Sequence, residues 1–238
     1  MSRARAVLFD LGGTLYDYAT LEAGNREALT SVARWAGSEK PEHEIVQAHR
    51  DALREVFYEY LPRSFYLHRD LFRDALLGMA KRLGLSLTDD LFERHRELQR
   101  RVQARDFQLR DGVISTLESL RARGCYLGIV SNIDDDQLEQ LIGLGELEGR
   151  FDDLLSSEAA RSCKPDPAIF EEALRRAECA PEDAFFVGDT RLQDIDGANR
   201  MGIRSVLLWH RDDRSPPERE PHPRHVIRRI PELLDLVT

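Results

Sequence analysis

Asp10 ends a short apolar run, Ala6-Val-Leu-Phe9, and is followed by Leu11, two glycines and Thr14. A run of this length and character suits a buried parallel strand, so a carboxylate of nucleophile grade stands at the strand's carboxyl edge. Ligands of open α/β sheets bind at that edge. Gly12-Gly13 lets the backbone turn sharply and approach a ligand closely. Three later segments set polar side chains in comparable places. Tyr126-Leu-Gly-Ile-Val130 runs into Ser131-Asn132, Phe185-Phe-Val187 runs into Gly188-Asp189-Thr-Arg-Leu-Gln-Asp194, and Ser162-Cys-Lys164-Pro-Asp-Pro-Ala-Ile-Phe170 lies between them. Singly, each has an ordinary structural explanation: an Asp or a Ser-Asn after a strand often caps a helix, and Gly-Asp often makes a turn. In order along one chain, at strand ends, they gather carboxylates, a hydroxyl and a lysine.

The elements that must position these residues follow from hydrophobic periodicity. After the first strand and its turn come about ninety residues of helical pattern. Apolar residues recur at helical spacing over Asn25 to Trp35, Glu44 to Tyr60, Arg69 to Leu83 and Asp90 to Ala104, with breaks at Pro62 and Gly84. This stretch predicts a second, helical domain. From Asp111 onward helices and strands alternate, which specifies a parallel sheet and an α/β fold. Helices are expected over Val113 to Arg123, Asp135 to Leu144, Pro167 to Ala177 and Asp194 to Met201; strands over Tyr126 to Val130, Phe151 to Leu155, Phe185 to Val187 and Arg204 to Trp209. Arg211 to His225, rich in Pro, Arg, Asp and Glu, reads as an exposed loop, and Ile230 to Val237 as a closing helix.

A chain of 238 residues has room for a full core plus one insert. The net charge of −9 and pI near 5.4 argue against nucleic acid and anionic membrane surfaces as partners. No apolar run approaches the roughly 20 residues of a membrane span, and the first residues lead into a strand rather than a signal sequence, so a cytoplasmic protein is expected. Cys125, Cys163 and Cys179 are odd in number and lack ligand spacing, which implies neither a disulfide framework nor a zinc site. Cys163, beside Lys164, reads as a packing residue rather than a reactive thiol. Nothing in the sequence fixes an oligomeric state.

On those four segments the chain resembles the haloacid dehalogenase superfamily, most of whose members are phosphohydrolases that work through an aspartyl-phosphate. The resemblance covers all four family motifs and nearly the whole length. It implies a Rossmann-like parallel-sheet core over residues 1–16 and 108–238 and a helical cap domain inserted at 17–107. It implies Asp10 as nucleophile, Ser131 and Asn132 as phosphate-binding residues, and Lys164 as the cation that neutralises the reacting charge. Mg²⁺ would be held by Asp10, the backbone carbonyl of Gly12, Asp189 and Asp194, and the substrate would be a small phosphorylated metabolite. The dehalogenase branch attacks carbon without metal and typically lacks the arrangement of Gly188-Asp189 with Asp194. The phosphonate-cleaving branch uses a cap lysine; Lys40 and Lys81 lie in the predicted cap, with no further feature marking either.

Gly12 departs from the family pattern, which has there an aspartate serving as general acid and base. Such catalysis contributes roughly 10²–10⁴-fold, so its loss would leave a working nucleophile and metal site that prefers good leaving groups. Asp17, or Asp134, Asp135 and Asp136 after Ser131, could replace it, although the last three read first as helix-capping acids. The alternative function is a catalytically weak relative that binds a phosphorylated ligand or a protein partner. Substrate choice would belong to the cap, where Phe57 to Arg69 combines five aromatics with Arg63, His68 and Arg69; most of these aromatics are expected to pack in the core, and Tyr16 and Tyr18 lie nearer the turn.

Overall fold

The computed structural model describes residues 4–210 and 220–237. Among the described residues six parallel strands form one sheet in the order β3-β2-β1-β4-β5-β6: β1 Ala6–Phe9, β2 Tyr126–Ser131, β3 Asp153–Ser156, β4 Ala184–Gly188, β5 Arg204–Leu208 and β6 His225–Ile227. All four residues of β1 are buried, as expected for a strand with neighbours on both sides. Phe9 aligns with Ile129 on one side and Val187 on the other, and the Asp10 N–H continues the β4 pairing by donating to the Val187 carbonyl at 2.9 Å. Successive strands go outward on one side through β2 and β3, then outward on the other through β4, β5 and β6. Asp10 therefore lies where the winding reverses, the place where such sheets bind ligands.

By internal contacts the chain divides into two compact units, one assembled from Met1–Asp17 and Gln108–Thr238, the other from Tyr18–Phe107. The second is made of four helices, α1 Tyr18–Trp35, α2 Glu42–Tyr60, α3 His68–Leu83 and α4 Asp89–Asp106. Each predicted helix is present and extends a little further than its periodicity, most of all α1, which begins seven residues before Asn25. Small residues let the helices close on one another. A Cβ on Gly24 would stand 2.8 Å from Val102 Cβ on α4, and one on Gly78 would stand 2.8 Å from Ala52 Cβ on α2. Leu29, Val32, Ile45, Met79 and Phe92 fill the interior between them. Gly84, left-handed at φ 69°, ends α3, and the Thr88 hydroxyl accepts from the Leu91 N–H to open α4.

The sheet unit carries α5 Val113–Ala122, α6 Asp135–Leu144, α7 Ser157–Ala160, α8 Pro167–Arg176 and α9 Asp196–Arg200. Its core is built on Leu8, Val130, Phe170 and Phe186, with the two phenylalanine rings edge to face at 5.1 Å. The structure departs from expectation in several places. The helix expected from Asp194 is a π-helical turn, Arg191–Ile195, followed by α9, because the N–H groups of Asp194 and Ile195 converge on the Thr190 carbonyl at 2.8 and 3.3 Å. The strand expected over Phe151 to Leu155 sits slightly later, at Asp153–Ser156. His225, placed by sequence in the exposed loop, opens β6, and the rest of that loop falls largely outside the described residues. The closing helix is a 3₁₀ turn, Ile230–Asp235. Among the described residues no helix is long and apolar enough to cross a membrane.

Candidate active site

Asp10, Ser131, Lys164, Asp189 and Asp194 meet at the carboxyl edge of β1, β2 and β4. Asp10 Oδ1 accepts from the Lys164 ammonium at 2.7 Å and from the Ser131 hydroxyl at 3.0 Å, while Oδ2 accepts from the Thr14 hydroxyl at 3.2 Å. The same ammonium donates to Asp194 Oδ1 at 2.7 Å. Asp10, Lys164 and Asp194 are all buried, at 7%, 2% and 1% exposure, so their charges are only weakly screened by water. Carboxylate oxygens of Asp10, Asp189 and Asp194 all lie within 4.8 Å of one another.

Two glycines make that approach possible. A Cβ on Gly13, whose φ is +79°, would collide with the Asp189 carboxylate, and one on Gly188 would collide with the side chain of Asp194. Residue 190 completes the arrangement: its N–H donates to Asp194 Oδ2 at 2.9 Å and its hydroxyl donates to Asp189 Oδ1 at 3.1 Å. The π-helical turn is thus the device that brings Asp194 back over the strand end. Thr14 and Thr190 were not singled out by sequence for these roles, and only their positions beside Gly13 and Asp189 signal them.

Three acids against one lysine leave the cluster with excess negative charge. Burial pushes the Asp189 carboxyl up to about 7, and the neighbouring Asp10 and Asp194 push it the same way. Burial likewise raises Asp194, to about 6, with Asp10 adding to the rise and Lys164 opposing it. Burial alone would lower Lys164, but its contacts with Asp10 and Asp194 outweigh this and hold it above its ordinary value. A set of buried, mutually repelling hard oxygens is the donor chemistry that a small divalent cation satisfies.

The other residues named from sequence have less direct places. Asn132 uses its side chain on the backbone of Lys164, donating to the carbonyl at 2.9 Å and accepting from the N–H at 2.7 Å, so its amide braces the lysine. Ser157 braces the same loop, accepting from the Ile133 N–H and donating to the Ile133 carbonyl, both at 3.1 Å. Gly12 lies in the turn after Asp10 and bridges to Tyr16. Asp17 is bound to Arg110 at 3.0 Å. Asp134 is buried ahead of α6, and Asp135 accepts from the Ser156 hydroxyl. Tyr16 is buried and Tyr18 is 56% exposed. Cys163 is buried. Lys40 pairs with Glu44 on the surface, at 3.0 Å. In the aromatic segment of the helical unit, Tyr60 and Tyr66 are buried against each other, with Arg63 over the Tyr60 ring, while Tyr58 is exposed.

A parallel sheet of this order, with buried acids and a lysine at its carboxyl edge, defines an α/β protein of the Rossmann-like type with a reaction-grade polar centre. The chain belongs to the haloacid dehalogenase-like hydrolase family, whose sequence model matches residues 4–202. It is 35% identical over 239 residues to glyceraldehyde 3-phosphate phosphatase of Methanopyrus kandleri, covering 98% of this chain and 97% of that one. It is 40% identical over 129 residues to human haloacid dehalogenase-like hydrolase domain-containing protein 3; that match takes in 54% of this chain and spans about half, 51%, of the human protein. Among solved structures, the HAD-hydrolase YfnB of Bacillus subtilis, bound to magnesium, matches with a TM-score of 0.78 over 100% of both chains at 20% identity, a likeness of fold.

Proposed function

We propose that this chain is a Mg²⁺-dependent phosphohydrolase of small phosphorylated metabolites that works through an aspartyl-phosphate on Asp10. The observation that carries the reading is the buried cluster in which Asp10 and Asp194 share the Lys164 ammonium while Asp189 closes on both. The full-length likeness to a glyceraldehyde 3-phosphate phosphatase supports the same reaction class. Asp10, Asp189 and Asp194, with the Gly12 carbonyl, would hold Mg²⁺, which supplies charge neutralisation for the phosphoryl group and the carboxylates around it. Asp10 forms a bond to phosphorus as the bond to the leaving oxygen breaks. Lys164 offsets the charge that develops on Asp10 and the transferred group, and the Ser131 hydroxyl lies close enough to Asp10 to turn toward a phosphoryl oxygen. Water then cleaves the aspartyl-phosphate and returns Asp10 to its starting state. The helical unit, read as the cap, would select the substrate, and the cytoplasm is the proposed compartment.

Gly12 shapes the selectivity of this reaction, because the turn offers no side chain to protonate the leaving oxygen. Asp17, the first acid after the turn, is engaged by Arg110. Acyl and aryl phosphates, whose leaving groups depart without a proton, should therefore be the better substrates. The test is initial rates on acetyl phosphate, an aryl phosphate and a sugar phosphate, each with Mg²⁺ and with chelator. Metal-dependent turnover confined to the first two is the expected result, and comparable turnover of the sugar phosphate would show that another residue supplies the proton. The residue at position 12 also favours one second reading, a weak relative that binds a phosphorylated ligand or protein partner; turnover of none of the three would select it.

A further inference from the structure

We infer that Arg110 is a positioning residue for the reaction centre, clamping the glycine turn that separates Asp10 from Thr14; the inference rests on the reading of Asp10 as nucleophile. Arg110 Nε and Nη2 both donate to the Gly13 carbonyl, at 3.1 and 2.9 Å, and Nη1 donates to Asp17 Oδ2 at 3.0 Å. Its own N–H donates to the Leu15 carbonyl at 2.8 Å, and the adjacent Leu109 pairs with Tyr16. The side chain is only 16% exposed, so the fork is held in place over a turn that lies ninety-seven residues away in sequence.

The held residue touches the reaction centre on two sides. Gly13 packs so closely on Asp189 that a single added methyl would overlap the carboxylate, and its chain neighbour Thr14 donates to Asp10 Oδ2. Two consecutive glycines have the greatest backbone freedom any dipeptide can have, and residue 12 here contributes no side chain to restrain them. A guanidinium that donates twice to one carbonyl and once to a carboxylate fixes that freedom with charge-assisted bonds in a planar geometry that an ammonium cannot reproduce. Arg110 thereby sets where Thr14 holds Asp10 and where Asp189 stands, without touching substrate.

The test uses the full-length protein with Arg110→Lys, Arg110→Ala and Asp17→Asn, read by acetyl phosphate turnover, Mn²⁺ binding by electron paramagnetic resonance, and thermal unfolding. Both Arg110 variants should lose on the order of 10²-fold in kcat/KM, the scale of a slight misplacement of reacting groups. Mn²⁺ should bind them more weakly, and added methylguanidinium should restore part of the rate of Arg110→Ala while leaving the wild type unchanged. Asp17→Asn keeps both bonds to Gly13 and should lose far less. Wild-type rate and Mn²⁺ affinity in Arg110→Lys would overturn the inference, as would a loss that follows the unfolded fraction and resists methylguanidinium. If Arg110→Ala does not fold, Arg110→Lys decides by the same readouts. Equal turnover by wild type and Asp10→Asn would instead remove the phosphohydrolase reading, and the Mn²⁺ measurement would still score the clamp.

Discussion

The sheet unit and the helical unit solve opposite problems of burial. The first buries charge: Asp10, Lys164 and Asp194 are nearly inaccessible, and their carboxyls repel one another across less than 5 Å. The second keeps its ion pairs outside, as with Arg26 and Glu22 or Lys40 and Glu44, and fills its interior with Val32, Ile45 and Met79. Such exposed pairs contribute only about 0–1 kcal/mol each, so the helical unit stands on packing. It also buries a histidine. His95 is 4% exposed and faces the Ala28 carbonyl through Nδ1 at 3.3 Å; burial lowers its pKa and, with the charge of His95 adding, lowers that of His49 to about 4. The contrast teaches that the buried carboxylates and their lysine gather where chemistry is proposed, while the helical unit keeps its ion pairs at the surface.

One core substitution in each unit should separate the two regimes most strongly. Lys164→Met leaves two buried acids without their cation and should cost about 3–5 kcal/mol in chelator, with part of the loss recovered on adding Mg²⁺. Met79→Ala opens a cavity and should cost about 2–5 kcal/mol with no dependence on Mg²⁺. Chemical denaturation with and without the ion checks both; an identical Mg²⁺ response would erase the distinction.

A gain of function sharpens the sheet side. Gly12→Asp should raise turnover of alkyl or sugar phosphates by up to about 10²-fold and that of acetyl phosphate much less. A uniform change across the leaving-group series would show that the turn around residue 12 is built for another purpose.

Acid and base should then move the units in opposite directions. Asp189 rises from 3.8 to about 7 on folding, so between those values the folded state holds the extra proton. Stability of the metal-free sheet unit should therefore fall as pH rises through this window, and Mg²⁺ should reduce the fall. His49 drops from 6.5 to about 4, so there the unfolded state holds the extra proton and the helical unit should weaken as pH falls from 6.5 toward 4. The chain has two tryptophans, Trp35 in the helical unit and Trp209 in the sheet unit, so the variants Trp209→Phe and Trp35→Phe report the units separately. Parallel pH responses of the two probes would break the comparison.

The strand ends and the long helices were readable from sequence because their signals are local. An apolar run that stops at Asp10, Ser131 or Gly188 announces a buried strand, and apolar spacing through α2 or α4 announces a helix. What escaped depends on contacts distant in sequence or on unusual backbone. Asp194 read as an ordinary helix start, although only a π-helical turn carries its carboxylate back over Gly188. Asn132 read as a phosphate contact from its place beside Ser131, and its use as a brace depends on the Lys164 backbone thirty-two residues on. β6 is three residues long and follows a charged, proline-rich stretch, so no periodicity could reveal it. Arg110 lies ninety-seven residues from Gly13, and no local pattern connects the two.

The most direct test of the central claim is acid quenching during turnover of acetyl phosphate with Mg²⁺, followed by mass spectrometric mapping of the protein. The account predicts a phosphoryl adduct on Asp10 that is absent from Asp10→Asn and from chelated samples, whereas undiminished turnover in Asp10→Asn, or an adduct on a different residue, would contradict it.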